Sequence, residues 1–162
     1  MAESKMVSRA EMHSYMNTAT TDSPSYALIG EGFTSLSESK NPKEYTRQYV
    51  HEKTERTDIV GYSPSIAYSV DTYTENAVIA RVREIADKEL IGTDAQVDIV
   101  TVHLFEPATG SGYKAYRRRY AIIPDAKGDG TEALIYSGTF KAVSDIEEGT
   151  FDEETKTFTP AE

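Results

Sequence analysis

The sequence predicts a mainly β, α+β fold: an antiparallel β-sandwich or barrel with one flanking α-helix. Three observations lead there. Runs with a period of two recur along the chain, the mark of half-buried strands. Only Asn76 to Leu90 carries a convincing apolar stripe at helical spacing. Eleven tyrosines, with many valines and threonines, suit a pleated surface. At 162 residues the chain fits one domain with a real core.

Residues 1–23 are polar and read as an N-terminal arm, with Val7, Ala10 and Tyr15 able to line a short helix. Tyr26 to Glu31 is a strand candidate. Gly30-Glu31-Gly32 breaks it, and Phe33 to Ser39 continues beyond. Asn41-Pro42 turns the chain. Tyr45, Arg47, Tyr49 and His51 then alternate with Thr46, Gln48 and Val50, as in a strand leading out of the domain body. Lys53 to Ser63 is charged and reads as a long loop, a length that is uncommon without a function. Ile66 to Tyr73 alternates again.

In the helix, Asn76 is placed to cap and Gly92 to close. Arg83 with Asp87, and Glu84 with Lys88, have ion-pair spacing. Gln96 to Phe105 is apolar on both faces, as a central strand is. Tyr113 to Ile123 is a strand ended by Pro124, followed by a turn over Asp125 to Gly130 and a partner strand from Glu132 to Val143. The main domain therefore spans residues 24–143. Residues 144–162 read as an acidic C-terminal arm. Residues 142–162 hold seven acids and one lysine.

Composition excludes several functions. A net charge of −10 opposes tight non-specific DNA binding. No apolar run approaches the ~20 residues of a membrane span. The N-terminus lacks the apolar region of a signal peptide. Without cysteine there is no disulfide and no thiolate metal site.

The motifs that touch on chemistry are better read structurally. Asp125 to Gly130 looks like a calcium loop, but Lys127 stands where an acid belongs, so a turn is favoured. Gly110 to Ala115 matches a loose dinucleotide fingerprint without the βαβ unit it requires. His13, His51 and His103 have no metal-ligand spacing, and Ser137 is not in a nucleophile elbow. No catalytic, cofactor or metal residue is expected, and the chain is not expected to be an enzyme. Arg117-Arg118-Arg119 splits across two faces of a strand, and its arginines suit acidic surfaces, including those of another copy. Phe151 and Phe158 fit two readings equally: a terminal strand tucked on its own domain, or a tail docked on another subunit.

The chain resembles the tail tube proteins of long-tailed phages of Gram-positive bacteria over about residues 24–160. The resemblance rests on Tyr26-Ala-Leu-Ile-Gly30-Glu-Gly32, Asn41-Pro42, Tyr49-Val-His-Glu52 and Tyr62-Ser-Pro64. It continues through the helix, Ile91-Gly92-Thr-Asp94-Ala95, Val97 to Phe105, Gly149-Thr-Phe-Asp152 and Lys156-Thr-Phe-Thr159. It implies hexameric rings stacked into a hollow tube that conducts phage DNA, in a non-contractile tail. A contractile tail or phage-derived bacteriocin is the near alternative, and a β-sandwich receptor- or carbohydrate-binding module the alternative from another class. The implied partners are further copies of the chain, tape measure, tail terminator and baseplate or distal tail proteins, and DNA passing unbound through the lumen; no membrane is implied. The implied location is the virion tail, assembled in the host cytoplasm. Inter-ring or inter-subunit contacts are expected at Lys53, Glu55, Arg56, Asp58, Tyr62, Arg117, Arg119, Phe151 and Phe158. Deleting residues 144–162 is expected to stop growth of the tube while leaving a folded domain.

Overall fold

The computed structural model describes residues 3–19, 23–108, 110 and 112–161. The elements are β1 (Met12–Asn17), β2 (Tyr26–Leu28), β3 (Phe33–Ser39), β4 (Pro42–Arg47), β5 (Arg56–Tyr62), β6 (Ser65–Asp71), α1 (Ala77–Asp87), β7 (Gln96–Pro107), β8 (Tyr113–Asp129), β9 (Ile135–Ala142), β10 (Glu147–Asp152) and β11 (Thr157–Pro160). The fold class agrees with the expectation. Nine strands form one antiparallel sheet that curls into a half-barrel, in the order β2-β1-β7-β8-β9-β6-β3. Strand β8 forks it: Tyr113 to Arg117 pair with β10, and Tyr120 to Asp129 pair with β9. Among the described residues, strands β4 and β5 pair only with each other.

Strand β7 organises two cores, one on each face. Val97 and Ile99 pack with Met16, Val70, Phe140 and the α1 residues Val78, Ile79, Val82 and Ile85. Val100 and Val102 face the opposite way and pack with Tyr15, Tyr26, Ala115, Phe151 and Phe158. The four α1 residues are fully buried, each stabilising the fold by roughly 1.5–3 kcal/mol. The Oδ1 of Asn76 accepts from the amides of Val78 (3.0 Å) and Ile79 (3.1 Å), so the expected cap is present.

The helix closes differently from the expectation. Glu89 takes the left-handed conformation (φ 52°), and Leu90 N–H donates to Ile85 O at 3.1 Å. Gly92 instead opens a 3-10 turn over Gly92–Ala95. The two expected ion pairs on the helix are replaced by others. Asp87 pairs with Lys127 across to β8 (2.7 Å), and Glu84 pairs with Arg81 (3.3 Å).

Other boundaries move for identifiable reasons. Residues 12–17, expected within an arm, form a strand between β2 and β7, because Tyr15 and Met16 are buried on opposite faces. The first half of the Tyr26 to Glu31 candidate is β2; the rest turns through Gly32 (φ 84°), where a Cβ would lie 2.4 Å from Asp71 O. Strand β8 runs through Pro124 to Asp129, with register shifts at Pro124/Ala126 and Lys127/Asp129. Irregularities of that kind are how a strand accommodates proline. The charged segment 53–63, expected as a loop, contains β5 and completes a β4–β5 hairpin. The acidic segment 144–162, expected as an arm, supplies β10 and β11, the hairpin that closes the second core.

Candidate assembly surfaces

The β4–β5 hairpin leaves the domain body where β3 ends and β6 begins. Its neck is clamped at Asn41, which adopts φ 48°. Asn41 O accepts from Ser63 N–H at 3.3 Å, and Asn41 Nδ2 donates to Ser63 O at 3.0 Å. The register puts Arg47 opposite Arg56, Tyr45 opposite Asp58 and Lys43 opposite Gly61 on one face. Thr46 with Thr57, Glu44 with Ile59 and Pro42 with Tyr62 occupy the other, with a bulge at Val60. Nearly every residue of the hairpin is exposed. Tyr45, Tyr49, Val50, Ile59, Val60 and Tyr62 are all large apolar or aromatic groups open to solvent, Tyr62 at 59% and Ile59 at 57%. Isolated two-stranded ribbons are marginal in water, and a cluster of uncovered apolar side chains on one marks an interaction surface.

Of the residues expected to make contacts between subunits, Lys53, Glu55, Arg56, Asp58 and Tyr62 are gathered on this hairpin. Arg56 is held at 2.6 Å by Glu52 and lies over the Tyr49 ring. Arg117, Phe151 and Phe158 are brought together elsewhere, inside one subunit. The Arg117 guanidinium lies 4.6 Å from the centre of the Phe158 ring and is ion-paired with Glu147. Phe151 is fully buried, 4.5 Å from the Tyr15 ring. The geometry therefore realises the tucked-strand reading of the two phenylalanines. Arg119 reaches Asp98 (3.5 Å) and Gln96 (2.9 Å) on β7.

A second feature was not singled out from sequence. The curling brings the start of β1 near β3: Arg9 donates to Leu36 O at 3.2 Å, and Tyr120 Oη donates to Glu38 at 2.9 Å. Between these lies a cavity of about 400 Å³ lined by Met12, Lys40, Thr101, His103, Tyr116 and Arg118, among others. The Nε of Arg118 is buried there without a hydrogen-bond partner. Burial, then the nearby Glu38 carboxylate, pushes the Tyr120 phenol well up. Burial also raises Tyr68 to about 12. Both phenols stay protonated at neutral pH, as structural donors do. Among the described residues no group of three or more His, Asp or Glu could hold a metal ion, and no helix is long and apolar enough to cross a membrane.

Among the described residues, β2, β3 and β11 each pair on one side only. Such edges invite pairing with another chain unless covered.

No protein-family model and no curated protein matches the sequence. The fold is similar to that of a chain in the six-fold symmetrised cryo-EM structure of the anti-feeding prophage baseplate. The likeness has a TM-score of 0.50 at 11% identity and covers 91% of this chain and 97% of that one.

Proposed function

We propose that this chain is a structural subunit of a phage-type tail, and specifically the subunit of its tube. The observation that carries the reading is the projecting β4–β5 hairpin, whose exposed tyrosines, isoleucine and valines have no partner within the described residues. The edges of β3 and β11 support it, because six copies pairing one edge to the other would close a ring and cover both of these edges. The likeness in fold to a chain in a six-fold symmetrised baseplate structure is consistent with this reading. In this reading rings stack in one direction, a heterologous contact that propagates as a filament. DNA passes through the lumen without specific binding, and the net negative charge keeps it mobile. The tail is non-contractile, with tape measure, terminator and distal tail proteins as partners, and the protein works in the virion after assembly in the host cytoplasm.

Electron microscopy of the concentrated protein tests this. Six-fold rings or tubes are the expected result. Monomers persisting at high concentration would sink the proposal. The cavity beside Arg118 is the observation that favours a binding module instead, and that reading requires a monomer or trimer that retains a small ligand.

A further inference from the structure

The hairpin and one patch of the domain body are complementary, and they join opposite ends of the β3–β6 ladder. Strands β3 and β6 pair over their full length, with Ser39 opposite Ser65 at one end and Phe33 opposite Val70 at the other. The hairpin issues from the Ser39 and Ser65 end. At the far end, roughly 23 Å away for seven residues, several chain segments meet. Asp71 N–H donates to Gly32 O at 2.7 Å, and Thr72 N–H donates to Leu134 O at 2.9 Å. These contacts bring together Glu31, Asp71, Glu75 and Glu132, none of which forms an ion pair among the described residues. They also surround two uncovered apolar groups, Tyr73 (50% exposed) and Leu134 (49%). Lys127, the cation nearest this end on β8, is already paired with Asp87.

One face of the hairpin has the opposite character. It carries Lys43, Tyr45, Arg47 and Arg56, with Asp58 among its paired positions and Glu52 reaching Arg56 from the turn. Arg47 lies 4.8 Å from the Tyr45 ring centre. Lys43 and Arg47 have no acidic partner among the described residues. Arg47 and Arg56 are direct cross-strand neighbours, and Glu52 already pairs with Arg56 at 2.6 Å, which leaves Lys43 and Arg47 as the unpaired cations of this face. The hairpin from residue 42 to 62 holds four cations and four acids, so the whole net charge of −10 resides on the rest of the chain.

We propose that the Lys43–Tyr45–Arg47 face of one copy docks on the Glu31, Asp71, Glu75 and Glu132 end of the next, with its aromatics against Tyr73 and Leu134. This deepens the proposed function and rests on it: it names the two surfaces that a one-directional stack brings together. Because they sit at opposite ends, each copy uses both, and the contact cannot saturate in a dimer. Carboxylates from the next copy give Lys43 and Arg47 the acidic partners they lack among the described residues.

The test is a charge swap in the full chain. One variant carries Lys43→Glu with Arg47→Glu, a second carries Glu75→Lys with Glu132→Lys, and a third carries all four. Assembly is followed by sedimentation and electron microscopy, and folding by thermal melting. All four side chains lie on the surface without ion pairs, so melting is expected to stay near wild type. Each half-swap is expected to raise the concentration needed for assembly by about tenfold or more, and the four-fold variant to return it to within about threefold of wild type. Wild-type assembly is expected to weaken between about 0.05 M and about 0.5 M salt. A half-swap that assembles like wild type, or a four-fold variant no better than the half-swaps, overturns the pairing. If wild-type tubes form and ignore the swaps, the tube reading stands and this pairing falls. If wild type forms only open head-to-tail chains that obey the swaps, the pairing stands and the tube falls. A wild-type protein that remains monomeric at every concentration overturns both.

Discussion

The phenol of Tyr15 donates a 2.6 Å hydrogen bond to Oε2 of Glu153, tying an early strand of the fold to the turn of its last hairpin. His13 Nδ1 lies 2.9 Å from the same oxygen. Burial opposes ionisation of Glu153, but the hydrogen bonds from Tyr15 and His13 outweigh it and hold its pKa below the ordinary 4.5. A carboxyl whose folded pKa is depressed stabilises the fold above its unfolded value. That contribution is withdrawn as pH falls through the folded value. Wild-type melting temperature is therefore expected to drop as pH falls below about 4.5. Glu153→Gln should be less stable near neutrality by about 1 kcal/mol, and should lose less on acidification. Parallel acid limbs for the two proteins, in melts taken across this range, would show that Glu153 contributes nothing.

Phe151 and Phe158 give a second expectation. With Phe151 fully buried between Tyr15, Tyr26 and the β7 valines, Phe151→Ala should cost about 3–5 kcal/mol. Removing residues 144–162 should leave the second core open and the chain unfolded or molten, not a soluble domain that merely fails to polymerise. Denaturant titration decides this, and a truncated chain that unfolds with wild-type midpoint would show the tail to be a dispensable arm.

Legibility in the sequence followed contrast in hydrophobicity. The α1 stripe and its Asn76 cap were readable because buried and wet positions alternate at helical spacing. The double-faced apolar pattern of β7 marked it as central, and it is the strand shared by both cores. Strand β5 was not readable as a strand, because it has no buried face and so no period-two contrast. The same holds for 144–162: its acids, Glu147 and Glu148, face Arg117 and Lys114 on β8. From sequence they look like a solvated tail, since the cations they meet lie about thirty residues away. Of the proposed assembly surface, the segment was legible and its shape was not. The Arg118 cavity had no local signature, because its walls come from strands that only the curl of the sheet brings together.

Gly149 and Gly61 make a matched pair of probes. A Cβ on Gly149 would sit 2.3 Å from Thr159 O and 2.7 Å from the Phe158 ring, whereas one on Gly61 meets nothing within 4 Å. Gly149→Ala should therefore force β10 and β11 apart and cost about 1–3 kcal/mol. Gly61→Ala should stay within about 0.5 kcal/mol of wild type. Chemical denaturation of the two variants measures the difference. Equal stabilities would mean that the β10–β11 hairpin does not hold this close approach in solution.

Excising the hairpin separates folding from assembly. The backbone at Asn41 and Ser63 is already in hydrogen-bond contact, so a two-residue glycine link can replace residues 42–62 without moving β3 or β6. None of the removed residues belongs to either core. The entropic cost of closing the shorter loop is also lower, by about 2 kcal/mol. The shortened chain is expected to melt no lower than wild type and up to several degrees higher, since 1 kcal/mol moves melting by about 2–4 °C at this size. It should also remain monomeric at concentrations where the full chain associates. Light scattering alongside thermal melts reads both outcomes. A shortened protein that still polymerises would mean that the sheet edges alone carry the assembly, with the exposed tyrosines of the hairpin directed at some other partner.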